Sequence, residues 1–157
     1  MNRGFTCGAF DLLHAGHILM LEEARSVCDR LIVGLQTDPT IDRPDKNKPI
    51  QSLDERKIQL RAVRYVDEIV QYNTEEELYE LLQFINPEVR IVGADHRGKD
   101  FTGHDLPIKI YFNSRDHQWS TTELRERIYQ NELEKARVNK EKQLRESLEL
   151  LAAYENN

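Results

Sequence analysis

Two histidines three residues apart, His14 and His17, sit in the segment Gly8-Ala9-Phe10-Asp11-Leu12-Leu13-His14-Ala15-Gly16-His17. Glycine at position 8 lets the backbone approach a ligand closely. A helix beginning near Gly16-His17 offers its first unpaired N–H groups as an anion site. Two imidazoles at such a helix start can donate hydrogen bonds to oxygens that gain charge in a transition state. Together these parts suit substitution at a phosphate, which depends on positioning and charge stabilisation and needs no covalent intermediate. Metal ligation with Cys7 or Asp11 as a third donor is the weaker alternative, and plain capping of the helix, which a lone histidine would suggest, is not the reading for a His-x-Gly-His set after a strand and a glycine turn. No further Cys/His cluster has zinc-like spacing, so no protein-held metal is expected.

The elements that must position this segment alternate along the chain. Gly4-Phe5-Thr6-Cys7 is a short strand stopped by Gly8. Residues 17–28 follow as a helix, with Ile18, Leu21, Ala24 and Cys28 at helical spacing. Residues 30–35 form a continuous apolar run, as in a strand buried on both faces. Pro39, Pro44 and Pro49 make 37–51 a loop. Ser52 with Glu55, and Thr74 with Glu77, spell capping boxes that open helices to about 64 and 85. Residues 67–71, 89–92 and 108–112 are further strands. Such alternation implies parallel strands joined by right-handed crossovers. The expected fold is therefore α/β, a doubly wound five-stranded parallel sheet, with ligands at the carboxyl ends of the strands near the switch in strand order. The site is to be sought just after the first, second, fourth and fifth strands.

A third capping box, Ser120 with Glu123, starts a stretch to about residue 153 that has no Gly or Pro. Leu144, Leu148 and Leu151 form a narrow apolar strip along it. The strip fits a face laid on the core and equally a seam for a second subunit or a partner. The expected division is a domain at 1–130 and a helical extension at 131–157.

Composition narrows the classes. The 157 residues are 39% hydrophobic and 32% charged, too apolar for a disordered chain and too charged for a membrane protein. No run approaches the roughly 20 apolar residues of a spanning helix, and the N-terminus reads straight into a strand with no signal-peptide pattern. Two cysteines make no disulfide framework. The expectation is a cytoplasmic protein. A net charge of −6 gives no global field for nucleic acid, so an anionic small substrate must meet local basic residues.

Gly-x-Phe-Asp-x-x-His-x-Gly-His resembles the signature of the cytidylyltransferase-like nucleotidyltransferase superfamily, a Rossmann-like fold. Trp119-Ser120-Thr121-Thr122 resembles its late Ser-Thr-Thr block, and Glu55-Arg56 and Arg64-Tyr65-Val66-Asp67-Glu68 resemble segments lining its nucleotide site. The likeness runs from about residue 3 to 130. With Gly93-x-Asp95 it looks closest to the glycerol-3-phosphate cytidylyltransferases, while adenylyltransferases for heptose 1-phosphate and for flavin share the same blocks. The resemblance implies transfer of a cytidylyl group from CTP to glycerol 3-phosphate, giving CDP-glycerol and pyrophosphate, with Mg²⁺ accompanying the nucleotide and a homodimer. The alternatives are an adenylyltransferase using ATP with a sugar phosphate or flavin, and a non-catalytic nucleotide-binding module.

It also implies residue roles. Ala9, Phe10 and Gly16 would present backbone to the α-phosphate, and His14 and His17 would stabilise the transition state. Asp11, Lys46 and Lys48 would meet the acceptor or triphosphate, although a solvated loop explains the lysines equally. Arg64 would bind phosphate and Asp67 order the site. Asp95 would sit near the nucleoside, and Arg115 with Ser120, Thr121 and Thr122 would hold the β- and γ-phosphates. The superfamily's late block is usually Arg-Thr-x-Gly-Ile-Ser-Thr-Thr. Here Asp116 replaces the Thr, Gln118 the Gly and Trp119 the aliphatic residue. His104 and His117 have no evident partner in the sequence.

Overall fold

The computed structural model describes residues 1–155. It divides into two compact units, Met1–Trp119 and Ser120–Asn157. In the first, strands β1 (Arg3–Gly8), β2 (Arg30–Gln36), β3 (Glu68–Tyr72), β4 (Val89–Gly93) and β5 (Lys109–Asn113) alternate with helices α1 (Ala15–Ser26), α2 (Leu53–Arg61) and α3 (Glu75–Ile85). All strand pairs are parallel, in the order β3-β2-β1-β4-β5. The chain is thus the expected α/β, doubly wound five-stranded sheet of Rossmann-like type.

Two apolar layers hold it, one on each face. Leu21 and Ala24 of α1 and Leu60 of α2 pack with Leu31, Val33, Leu35, Val89 and Ile91 from the strands. On the other face Leu78 and Leu82 of α3 pack with Phe5, Ile32 and Tyr72. β2 supplies both layers, because consecutive strand residues point to opposite sides. That is why its sequence is apolar without interruption.

The switch in strand order falls between β1 and β4. Their ladder holds only Gly4↔Val89 and Phe5↔Arg90, whereas β1 pairs with β2 from Arg3↔Arg30 through Gly8↔Leu35. The carboxyl halves of β1 and β4 therefore part, and the crevice opens where a doubly wound sheet takes its ligand. No α-helix joins β4 to β5. The connection is one 3₁₀ turn, Ala94–His96, and a loop. Buried Arg90 holds that loop by donating to the Thr102 carbonyl and lying 5.2 Å from the centre of the Phe101 ring.

The second unit is one helix, α4 (Thr121–Glu155). Ser120 Oγ accepts the Glu123 N–H at 3.1 Å, the cap expected from the sequence. α4 runs unbroken past residue 130, where the sequence suggested a boundary, because no Gly or Pro interrupts it. Residues 156 and 157 of the expected extension lie outside the described residues. Leu144, Leu148 and Leu151 are exposed, and ion pairs such as Arg137 with Glu134 and Glu141 line the helix. Among the described residues no helix is long and apolar enough to cross a membrane.

Candidate active site

The turn between β1 and α1 is the most constrained backbone in the first unit. Phe10 (φ 47°) and Leu12 (φ 51°) both adopt left-handed conformations that side chains disfavour. Such residues persist only where their surroundings over-determine them, and they concentrate at functional sites. The surroundings are visible here. Asp11, almost fully buried, accepts the Ile50 and Gln51 N–H groups on its two carboxylate oxygens, each at 2.9 Å. Gln51 Oε1 accepts the Leu12 N–H at 2.7 Å.

Beneath the turn lies Arg56, 2% exposed. Its guanidinium donates to the carbonyls of Ala9 (2.8 Å), Gln36 (2.7 Å), Thr37 (2.6 Å), Gln51 (3.2 Å) and Ser52 (3.3 Å). One buried cation thus ties the exit of β1, the exit of β2 and the start of α2 into a single unit. Burial lowers its pKa, while Asp11 and Asp38 oppose that shift.

Contrary to the reading of the sequence, the two histidines do cap α1, and they do so reciprocally. Gly16 N–H donates to His14 Nδ1 at 3.0 Å, and His14 N–H donates to His17 Nδ1 at 3.2 Å. A backbone N–H can only donate, so both Nδ1 atoms hold lone pairs and both neutral rings carry their proton on Nε2. The cap engages Nδ1 of each ring, and Nε2 carries the proton. The rings lie 3.9 Å apart at 34°. Burial, then the neighbouring His14, lowers the His17 pKa to about 4; His117 acts the same way and Asp11 opposes it. His17 is thus neutral near pH 7. Among the described residues no group of three His, Cys, Asp or Glu is placed to hold a metal ion.

The exits of β4 and β5 meet at the same end of the sheet. Arg115 Nη1 lies 3.0 Å from Asp95 Oδ1. Burial pushes the Asp95 carboxyl up, but the hydrogen bond and charge of Arg115 outweigh it and hold the pKa below the ordinary value. Arg115 is also left-handed (φ 51°). A cavity of about 230 Å³ opens here, lined by Leu19, Met20, Asn113, Arg115 and His117 among others.

Lys46 and Lys48 are exposed on the loop after β2, whose end Asp11 grips. Ser120, Thr121 and Thr122 open the second unit as a helix start. Arg64 and Asp67 lie elsewhere. Asp67 Oδ2 accepts the Leu31 N–H at 2.7 Å and pairs with Arg25 at 3.1 Å, at the amino ends of β2 and β3. Arg64 donates to the Tyr65 hydroxyl at 2.6 Å beside it. Both stand at the opposite edge of the sheet from the histidines, because residues that precede a parallel strand enter it from the amino side. An open groove of about 520 Å³ along the β3 edge, lined by Lys57, Arg61, Asp67 and Gln71 among others, takes no residue from the histidine turn. Asp11 likewise differs from expectation: its carboxylate oxygens anchor the loop at 50–51.

The sequence left two residues of this region without a role. Arg56 enters only within Glu55-Arg56, a segment that resembles one lining the nucleotide site, with no role of its own. His117 reads as unpartnered, yet it follows the fifth strand, where the strand-end rule directs attention.

The cytidylyltransferase-like family profile matches residues 5–127. The chain belongs to that family. It is a nucleotidyltransferase, and the matched residues include the histidine turn. It is 40% identical over 129 residues to the bifunctional protein HldE of Aliarcobacter butzleri, covering 82% of this chain and 27% of that protein. It is 42% identical over 107 residues to the HldE of Wolinella succinogenes, covering 68% and 22%. This nucleotidyltransferase thus spans about a quarter of the length of those relatives. A crystal structure described as a lipopolysaccharide core biosynthesis protein from Thermoplasma volcanium matches with a TM-score of 0.61 at 26% identity, covering 73% of this chain and 97% of the other. Pantothenate synthetase from Thermus thermophilus shares the fold at 16% identity, with a TM-score of 0.51.

Proposed function

We propose that the chain transfers an adenylyl group from ATP to a sugar 1-phosphate of the heptose 1-phosphate type, giving a nucleoside-diphosphate sugar and pyrophosphate. Of the readings open from the sequence, this one is favoured over cytidylyl transfer to glycerol 3-phosphate by the HldE relatives and by the lipopolysaccharide-core neighbour. The observation that carries the reaction itself is the reciprocal histidine cap, which fixes two Nε2–H donors at the start of α1 beside the parted ends of β1 and β4.

In this reading an oxygen of the acceptor phosphate attacks the α-phosphorus in line. The bond from that phosphorus to the bridging oxygen breaks, and pyrophosphate departs with the electron pair. No proton transfer is needed. His14 and His17 act as hydrogen-bond donors to the oxygens on which charge accumulates. The neutral state of His17 suits that task. Backbone at Ala9, Phe10 and Gly16 would seat the α-phosphate, Lys46 and Lys48 would meet the incoming phosphate, and Asp95 would face the nucleoside. Mg²⁺ would arrive with the triphosphate, held by phosphate oxygens and water in the way this ion prefers. The β- and γ-phosphate role of Arg115 requires it to leave Asp95. For Ser120, Thr121 and Thr122 that role rests on the motif alone, as homodimer formation rests on the resemblance.

The test is pyrophosphate release with ATP and with CTP, each against heptose 1-phosphate, glycerol 3-phosphate and flavin mononucleotide. Turnover is expected with ATP and the sugar phosphate. Turnover with CTP and glycerol 3-phosphate alone restores the cytidylyl reading. Nucleotide binding without turnover in any pairing points to a non-catalytic module.

A further inference from the structure

We propose that His117 is a third phosphate-binding imidazole of this site, held in place by Trp119; the assignment rests on the nucleotidyl-transfer reading and extends it to the departing pyrophosphate. The geometry at Gly16 is the starting point. A Cβ added there would lie 2.7 Å from His117 Cε1, 2.9 Å from His14 Cε1 and 2.8 Å from the Trp119 carbonyl oxygen. The two imidazoles therefore flank the first buried residue of α1, and only a glycine leaves room for both. The His117 ring lies 5.8 Å from the Trp119 ring at 23°, a stacked contact that fixes its plane. Its Nδ1 is sealed from solvent with no partner among the described residues, so Nε2 is the nitrogen that can meet a ligand.

An anion seated at the start of α1 would thus meet three rings instead of two, in addition to the positive end of the helix. The contrast with Arg115 strengthens the assignment. That guanidinium, two residues earlier, is already paired with the Asp95 carboxylate at 3.0 Å, whereas His117 has no carboxylate partner among the described residues. A hydrogen bond donated by a ring N–H strengthens as negative charge grows on the accepting oxygen. Charge building on the leaving group would therefore strengthen this contact as the bond to the α-phosphorus breaks.

Trp119 is the chain's single tryptophan, so its emission reports on this spot alone. The experiment uses the full chain, titrated with inorganic pyrophosphate by calorimetry and by tryptophan fluorescence, with H117Q and H117A as variants. Wild type is expected to bind pyrophosphate with a change in Trp119 emission. Both variants should bind it at least about tenfold more weakly, the scale of one charge-assisted hydrogen bond, while the KM for the acceptor phosphate stays within about twofold. Glutamine is close in size to histidine, so H117Q keeps the comparison valid where H117A folds poorly. Pyrophosphate affinity within twofold of wild type in H117Q overturns the proposal, and so does a wild type that binds no pyrophosphate. Normal pyrophosphate binding by wild type without product formation from any acceptor defeats the nucleotidyl-transfer reading instead, and the binding ratio still decides His117.

Discussion

Asparagine and glutamine at position 17 separate the two jobs of the His17 ring. Nδ1 accepts the His14 N–H at 3.2 Å and completes the cap of α1, while Nε2 carries the proton. The amide of asparagine reaches about as far as Nδ1, and that of glutamine about as far as Nε2. H17N therefore keeps the cap and loses the donor, and H17Q does the reverse. His17 is neutral at pH 7, with a pKa near 4, so neither change strands a buried charge. The stability cost is then the cap, about 1 kcal/mol. The catalytic cost of one missing transition-state donor is a factor of about 10²–10³, or about 3–4 kcal/mol. The fold and the chemistry should move apart. H17N should melt within a few degrees of wild type and release pyrophosphate at least about a hundredfold more slowly in a single turnover. H17Q should melt lower and keep more of the rate. Single-turnover pyrophosphate release and scanning calorimetry on the same preparations give both numbers. An H17N variant turning over within about threefold of wild type would refute the donor assignment, and an H17Q variant as stable as wild type would refute the cap.

His17 also predicts a pH dependence. Its folded pKa of about 4 lies below the ordinary 6.5, so between those values the unfolded chain binds more protons and stability rises with pH. The contribution is complete above about pH 6.5 and is lost as pH falls towards 4, about 3 kcal/mol in all. Urea midpoints for wild type and H17N should lie close together at pH 7 and diverge through pH 5.5 to pH 4, where wild type alone loses this stability, and parallel curves would contradict the shift. R56K should cost at least about 3 kcal/mol in urea unfolding, because a single ammonium cannot reach the five carbonyls that the guanidinium fork serves; a loss under about 1 kcal/mol would show the hub to be dispensable. R64A and D67N should leave kcat/KM within about twofold of wild type, since both residues sit at the amino edge of the sheet. A tenfold loss in R64A would return Arg64 to the site.

Much of the fold was legible because local signals agreed with each other. The uninterrupted apolar run of β2, the caps at Ser52 and Thr74, and the alternation of elements all lead to one sheet, and the sheet dictates where a ligand goes. That positional rule agrees with the places the resemblance gave to the histidine turn, the loop bearing Lys46 and Lys48, Asp95 and Arg115. Arg64 and Asp67 entered through motif likeness, and the rule itself opposed them. Both precede β3, and a strand of five residues separates its two ends by about 15 Å. Where a motif and the direction of a parallel strand disagree over a residue's place, the strand direction decides.

What escaped the sequence is what only tertiary contact creates. Motif likeness places Arg56 in a segment beside the nucleotide, and nothing local says that carbonyls from three separate segments converge on it. Burying a guanidinium is unfavourable unless its donors are satisfied. Once β1, β2 and α2 deliver those carbonyls to one point, the same cation becomes the link holding the strained turn at Phe10 and Leu12. His117 is the mirror case. Its neighbours Asp116, Gln118 and Trp119 depart from the usual block, which makes the segment look degraded when taken alone. Against Gly16 the departures make sense together: the missing side chain on α1 is the space that the His117 ring and the Trp119 carbonyl occupy. A glycine in one motif and an unusual pair of aromatic residues in another are two halves of one contact, and the histidine turn is complete only when both are counted.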